Sequence, residues 1–169
     1  MISTCKEYLV QKLKAAGIKS KVCTSMKELR GYRESHVGAV IPDRDTFSRA
    51  YSKKLYRDEN MAKHKRRKMF ERETTFVVVI GEYSQEQADA IFEAFLALLD
   101  PGILIDGNYT ALEVEEADWV DKEDSILQAK IAVQLKVTFR GGVYKDTDFA
   151  KVNYHVRSIE KEDGYGEQG

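Results

Sequence analysis

Cysteine is scarce in this chain, and so are the residue patterns that carry chemistry. Cys5 and Cys23 are the only two, with no paired spacing, among 169 residues. A disulfide framework needs more, so the pair reads as two reduced thiols of a cytosolic protein. The N-terminus has no secretory-signal composition. No apolar run approaches the roughly 20 residues of a membrane-spanning helix, and the run at residues 76–80 is strand length. A soluble, intracellular protein without a membrane partner is expected. His36, His64 and His155 stand apart, with no second His, Cys or carboxylate at metal-ligand spacing. No Ser or Cys lies in a G-x-S-x-G turn, and no glycine-rich loop opens a helix that would cradle a phosphate. Neither enzymatic activity, nor a cofactor, nor a metal is expected.

Net charge is nearly missing too, at −1. That total conceals a division. Residues 1–80 hold 19 Lys and Arg against 9 Asp and Glu, whereas residues 81–169 hold 8 against 19. Such an asymmetry concerns partners more than fold. Either the basic part meets a polyanion, or the basic face of one copy meets the acidic face of another.

What is present reads as one α+β domain over residues 1–145, long enough to bury roughly two-thirds of its unfolded surface. The first helix is expected over residues 4–16, with Thr4 and Glu7 at capping-box spacing and Gly17 at the stop. Residues 18–24 and 37–41 read as short strands, the second closed by Pro42. Residues 46–80 read as a long basic hairpin protruding from the core, turning at residues 57–60 and ending in Phe76-Val77-Val78-Val79-Ile80. A second helix spans residues 84–99, capped by Ser84 with Gln87 and stopped by Asp100-Pro101-Gly102. Residues 109–120 form a strand whose apolar phase shifts between Val114 and Trp119, as a bulge would make it. An acidic connection, residues 120–125, leads into a strand over 127–140 that ends at Gly141-Gly142. Residues 146–159 read as an edge strand or arm, and residues 160–169 as a disordered tail. The expected architecture is a mostly antiparallel sheet with two amphipathic helices on one face.

Two groups of side chains are candidates for function. The first is basic: Lys63, Lys65, Arg66, Arg67 and Lys68, with Lys53, Lys54 and Arg57 across the proposed hairpin and Tyr51, Tyr56 and Phe70 interleaved. That is the composition of a nucleic-acid contact without sequence readout. It is equally that of a basic face meeting an acidic protein surface, or of a solvated face with no dedicated partner. The second group is acidic: Glu113, Glu115, Glu116, Asp118, Asp121 and Asp124, with Trp119 as an apolar anchor. Alternation puts Glu116 and Asp118 on one strand face, where acid–base or Mg²⁺ chemistry competes with a solvated or interface role. Opposed patches on one subunit produce head-to-tail contacts, which close into rings or grow into filaments.

The order of elements resembles that of tail terminator, or tail completion, proteins of tailed bacteriophages. It is carried by the N-terminal helix, the hairpin ending at residues 76–80 and the helix at 84–99. The closing strands follow, with Leu112-Glu113-Val114 and Trp119-Val120 leading through the acidic turn into residues 129–137. The resemblance covers residues 1–145 and rests on element order and texture. It implies a non-enzymatic phage or prophage structural protein that forms a hexameric ring on the tail tube. There it would stop polymerisation and offer a surface to the head–tail connector. Its place would be the virion tail, and the host bacterial cytoplasm during assembly. Under this reading the hairpin reaches a neighbouring subunit or lines the lumen, where Lys53, Lys54, Arg57 and Lys63 face passing DNA. The alternative is a nucleic-acid-binding module using residues 49–72. The long basic segment and the stretch after Tyr144 depart from the family pattern.

Overall fold

Cys5, Leu9 and Leu13 recur every four residues and are fully buried, which fixes the inward stripe of α1 (Ile2–Ala16). The helix begins at Met1, and no side chain caps it, so the Thr4–Glu7 capping box expected from sequence does not form. Thr4 lies inside the first turn instead. Gly17 adopts a φ of 124°, and its N–H donates to the carbonyl oxygen of Lys14. A short α2 (Met26–Gly31) follows, unanticipated from sequence. Ser25 caps it by accepting from the Glu28 N–H, while the Glu28 carboxylate accepts from the Thr24 N–H at 2.8 Å. The helix α3 (Gln85–Leu98) carries the expected cap, Ser84 accepting from the Gln87 N–H.

The computed structural model describes residues 1–121 and 131–149. It shows a mixed α+β fold around an antiparallel six-stranded sheet. The strands are β1 (Val37–Arg49), β2 (Lys53–Arg57), β3 (Lys63–Glu82), β4 (Gly102–Ile105), β5 (Asn108–Asp121) and β6 (Ile131–Asp148). Their order is β1-β3-β6-β5-β4, with β2 paired to β3 beyond the end of β1. On one face, α1 and α3 close a core of Leu9, Leu13, Phe76, Val78, Ile80, Phe95, Val133, Leu135, Val137 and Phe139. On the other, α2 and Tyr32 cover a smaller cluster of Cys23, Leu29, Val37, Ala39, Ile41, Val79 and Ala132.

Several boundaries differ from the sequence reading, each for a local reason. Residues 18–24 form no strand; Cys23 makes one parallel bridge to Ala39, its N–H donating to Gly38 at 2.8 Å. Pro42 does not close β1. Val40 donates its N–H outward to Cys23, so Pro42, two residues on, points its missing donor away from β3, and an edge strand tolerates that. Gly141-Gly142 does not end β6. A Cβ at Gly142 would lie 2.9 Å from the Phe70 carbonyl oxygen, and one at Gly141 would lie 2.8 Å from Thr110 Oγ1. These glycines permit close approach within a continuous strand. The strand β4 was missed, although Asp106-Gly107 turns it into β5 with both residues at positive φ, 49° and 71°, as a type I′ hairpin requires.

Nor does residue range 46–80 stand out as a hairpin on its own. The strand β3 is flanked along its length, by β1 and then β2 on one side and by β6 on the other. Its 20 residues extend on the order of 65 Å, whereas α1 and α3 are each roughly 22 Å long. The helical layer therefore covers only part of the sheet. Past Phe76 and Phe139 the core gives way to an Asp45–Arg72 pair, bidentate at 2.6 and 3.0 Å, with Thr74 donating to Asp45 at 2.9 Å. Beyond it the three strands β2, β3 and β6 continue without a helix. Three strands satisfy each other's backbone groups where an isolated two-stranded hairpin is marginal.

Candidate interaction surface

The register of this three-stranded extension decides what its basic residues do. Lys53 lies opposite Arg67, Leu55 opposite Lys65 and Arg57 opposite Lys63. Across the other edge of β3, Arg67 lies opposite Lys145 and Lys65 opposite Thr147. Strand alternation puts all of these on one face. That face carries Lys53, Arg57, Lys63, Lys65, Arg67 and Lys145, and among the described residues none of the six has a carboxylate partner. Lys65 instead sits over the Phe149 ring, 5.6 Å from its centroid, and Arg57 reaches the Met61 carbonyl oxygen at 3.4 Å.

The intervening residues of β3 face the other way and are neutralised. Arg66 grips Asp146 bidentately, at 2.7 and 2.6 Å, and Tyr56 donates to the same carboxylate at 3.0 Å. The Arg66 guanidinium lies 4.8 Å from the Tyr56 ring centroid and donates to the Asp106 carbonyl oxygen at 3.2 Å. The Arg66 hydrogen bond, then that of Tyr56, holds the Asp146 carboxyl at about 2. Arg66 also walls a cleft of about 370 Å³ with Arg72, Asn108, Thr110 and Gly142. Both arginines already hold carboxylates, so the cleft is no anion hole. Lys68 pairs with Glu71, and His64 with Asp58 at 3.0 Å. Lys54 shares this second face.

One irregularity sets which face each row takes relative to the core. Lys68 pairs with Tyr144 and Phe70 with Val143, so Met69 is an extra residue on β3. It reverses the alternation. Phe70, expected as an exposed anchor, is half-buried, with the Arg49 guanidinium 4.5 Å from its ring centroid. Tyr51, between β1 and β2, is 85% exposed.

The acidic group up to Asp121 lies on β5, whose outer side is unpaired among the described residues beyond its contact with β4. Glu113 meets Arg140 at 3.0 Å, and Arg140 also meets Glu73 at 3.3 Å. The expected phase shift is a bulge between Val114 and Ala117, and there Lys136 pairs with Glu116 at 2.7 Å. Glu115 and Asp118 are exposed, without a basic partner among the described residues. Glu116 and Asp118 thus lie along an exposed strand, one in an ion pair. Trp119, 42% exposed, packs edge-on against Phe92 of α3, ring centroids 6.0 Å apart. Asp121 ends β5, while Asp124 and the residue ranges 150–159 and 160–169 lie outside the described residues.

Sequence reasoning missed Lys145, which completes the row Lys53–Arg67–Lys145, because β6 was expected to stop at Gly141. It also missed Phe47 and Leu55 on the β1–β2 edge, Leu104 on β4 and Tyr109 at the start of β5, all exposed apolar side chains. Among the described residues no group of three His, Cys, Asp or Glu is placed to hold a metal, and no helix is long and apolar enough to cross a membrane. No protein-family model matches the chain, and no curated protein matches it.

Proposed function

We propose that this chain is a non-enzymatic structural protein that assembles head to tail into a ring. The resemblance in element order makes it a phage or prophage tail terminator or completion protein. The observation that carries the reading is the placement of the two charge territories on opposite edges of one sheet. The β1–β2 edge is basic and the β5 edge acidic, with β3 and β6 between them. Among the described residues, β3 and β6 separate Lys53, Lys54 and Arg57 on β2 from Glu115 and Asp118 on β5.

Among the described residues both edges also keep free backbone donors and acceptors over part of their length, which strand addition would satisfy. Apolar anchors stand beside each: Phe47, Tyr51 and Leu55 at the basic edge, Val114 and Trp119 at the acidic one. Charge would steer and register the contact while these anchors supply most of the affinity. Unlike edges make a heterologous contact, which closes into a ring when the rotation permits. A hexamer on the tail tube, facing the head–tail connector, is what the family resemblance implies.

Native mass spectrometry over a wide range of concentration and salt tests this. A single closed multimer, weakened by salt, is expected. Monomers throughout, also with tail tube added, would overturn the reading.

A further inference from the structure

We infer that the six-cation face of the β2–β3–β6 extension is a binding surface for the phosphodiester backbone of double-stranded DNA. Like charges directly opposite across strands destabilise a sheet. Here they stand in a row of three, Lys53–Arg67–Lys145, next to a second like pair, Arg57–Lys63. The reverse face of the same strands shows that this sheet can neutralise itself, through Arg66, Asp146 and Tyr56. Among the described residues, the absence of a carboxylate partner is therefore a property of that face and not of the segment.

Charge matching favours a polyanion over a second copy. On β5, Glu113 and Glu116 already hold Arg140 and Lys136. The carboxylates of that strand which remain, at most Glu115, Asp118 and Asp121, cannot balance six cations. Phosphates can, since a duplex carries one charge per roughly 1.7 Å of axis. Spacing on the face is regular, about 4.8 Å between strands and about 6.6 Å between same-face residues along a strand.

Among the described residues the one ring beside these cations is Phe149, which Lys65 covers, and the most exposed ring, Tyr51, lies outside the strands. Contact is therefore with the backbone of a duplex, without sequence preference. A monomer carries all six cations, so binding does not require a ring.

The test is fluorescence anisotropy of a labelled 30-base-pair duplex of random sequence, titrated with the full chain between 50 and 200 mM salt. Each neutralised phosphate contributes about −0.9 to the slope of log K against log salt, so six contacts give about −5. The triple variant Lys65→Gln, Arg67→Gln, Lys145→Gln should bind with a slope near −3, whereas Lys27→Gln on α2 should leave the slope unchanged. Circular dichroism melts confirm that each variant is folded. No binding at 50 mM salt, or a triple variant with wild-type affinity and slope, overturns the inference. So does a wild type that ignores DNA while the triple variant loses multimer mass, since the face would then belong to a second copy.

Discussion

Arg67 stands between two cations, Lys53 on β2 and Lys145 on β6. Replacing it with glutamate turns two repulsive cross-strand contacts into two attractive ones. Opposite-charge pairs of this kind are worth about 0.2–1 kcal/mol each, so Arg67→Glu should stabilise the fold by about 1 kcal/mol. For a chain of this size that corresponds to a rise in Tm of roughly 2–4 °C. Arg67→Gln, which only removes repulsion, should give a smaller rise. Urea denaturation and thermal melts at low ionic strength read the effect. In 1 M salt, where the screening length is about 3 Å, the gain should disappear. The same variant should bind duplex DNA more weakly. A residue whose removal improves stability and damages binding is retained for the binding. If Arg67→Glu were less stable than wild type at low salt, or its gain survived 1 M salt, the assigned register and face would be wrong.

Three further outcomes follow from the geometry. Phe139 is fully buried and edge-on to both Phe76, at 5.9 Å, and Tyr8, at 6.2 Å; Phe139→Ala should cost about 3–5 kcal/mol in urea unfolding, and less than 1.5 would contradict the core assignment. The Arg66 hydrogen bond lowers the exposed Asp146 carboxyl to about 2 from an ordinary 3.8. A folded value below the unfolded one gives stability that is present above about pH 4 and lost as pH falls towards 2. Melting curves of wild type and Asp146→Asn should therefore converge between pH 4 and 2. Burial pushes the Cys5 thiol up to about 11 and raises Cys23 as well, so neither should react with a thiol reagent at pH 8 until the chain unfolds, and a fast native phase would refute that.

The helical layer was legible in the sequence where one face had to be apolar. Helix α3, its Ser84 cap and the bulge in β5 all come from patterns that local chemistry enforces. The Asp106-Gly107 turn was equally explicit and was overlooked. Other features depend on tertiary placement. Pro42 reads as a stop unless β1 is known to be an edge, and Gly141-Gly142 reads as a terminator unless Phe70 and Thr110 are known to crowd it. The Ser25–Glu28 cap precedes a helix too short to show an apolar period.

The charged surface was half legible. Composition pointed to the basic segment, but its residues do not act as one group. Strand alternation sends Lys65 and Arg67 to one face and Arg66 and Lys68 to the other, and a single extra residue, Met69, shifts that alternation relative to the core. Periodicity cannot show which residue bulges, because that depends on pairing with β6 some 75 residues away (Lys68 with Tyr144, Phe70 with Val143). The internal ion pairs of Glu113 and Glu116, which leave the β5 edge weaker in charge than its sequence suggests, depend equally on that register.

The claim that the basic β1–β2 edge of one copy meets the acidic β5 edge of the next is tested most directly by exchanging their charges. Native mass spectrometry would be run on Glu115→Lys with Asp118→Lys, on Lys54→Glu with Arg44→Glu, and on an equal mixture of the two proteins. Each alone should be monomeric and the mixture should regain the wild-type multimer, because every edge again finds an opposite. Wild-type mass for either variant alone, or monomers in the mixture, would show that these edges do not meet.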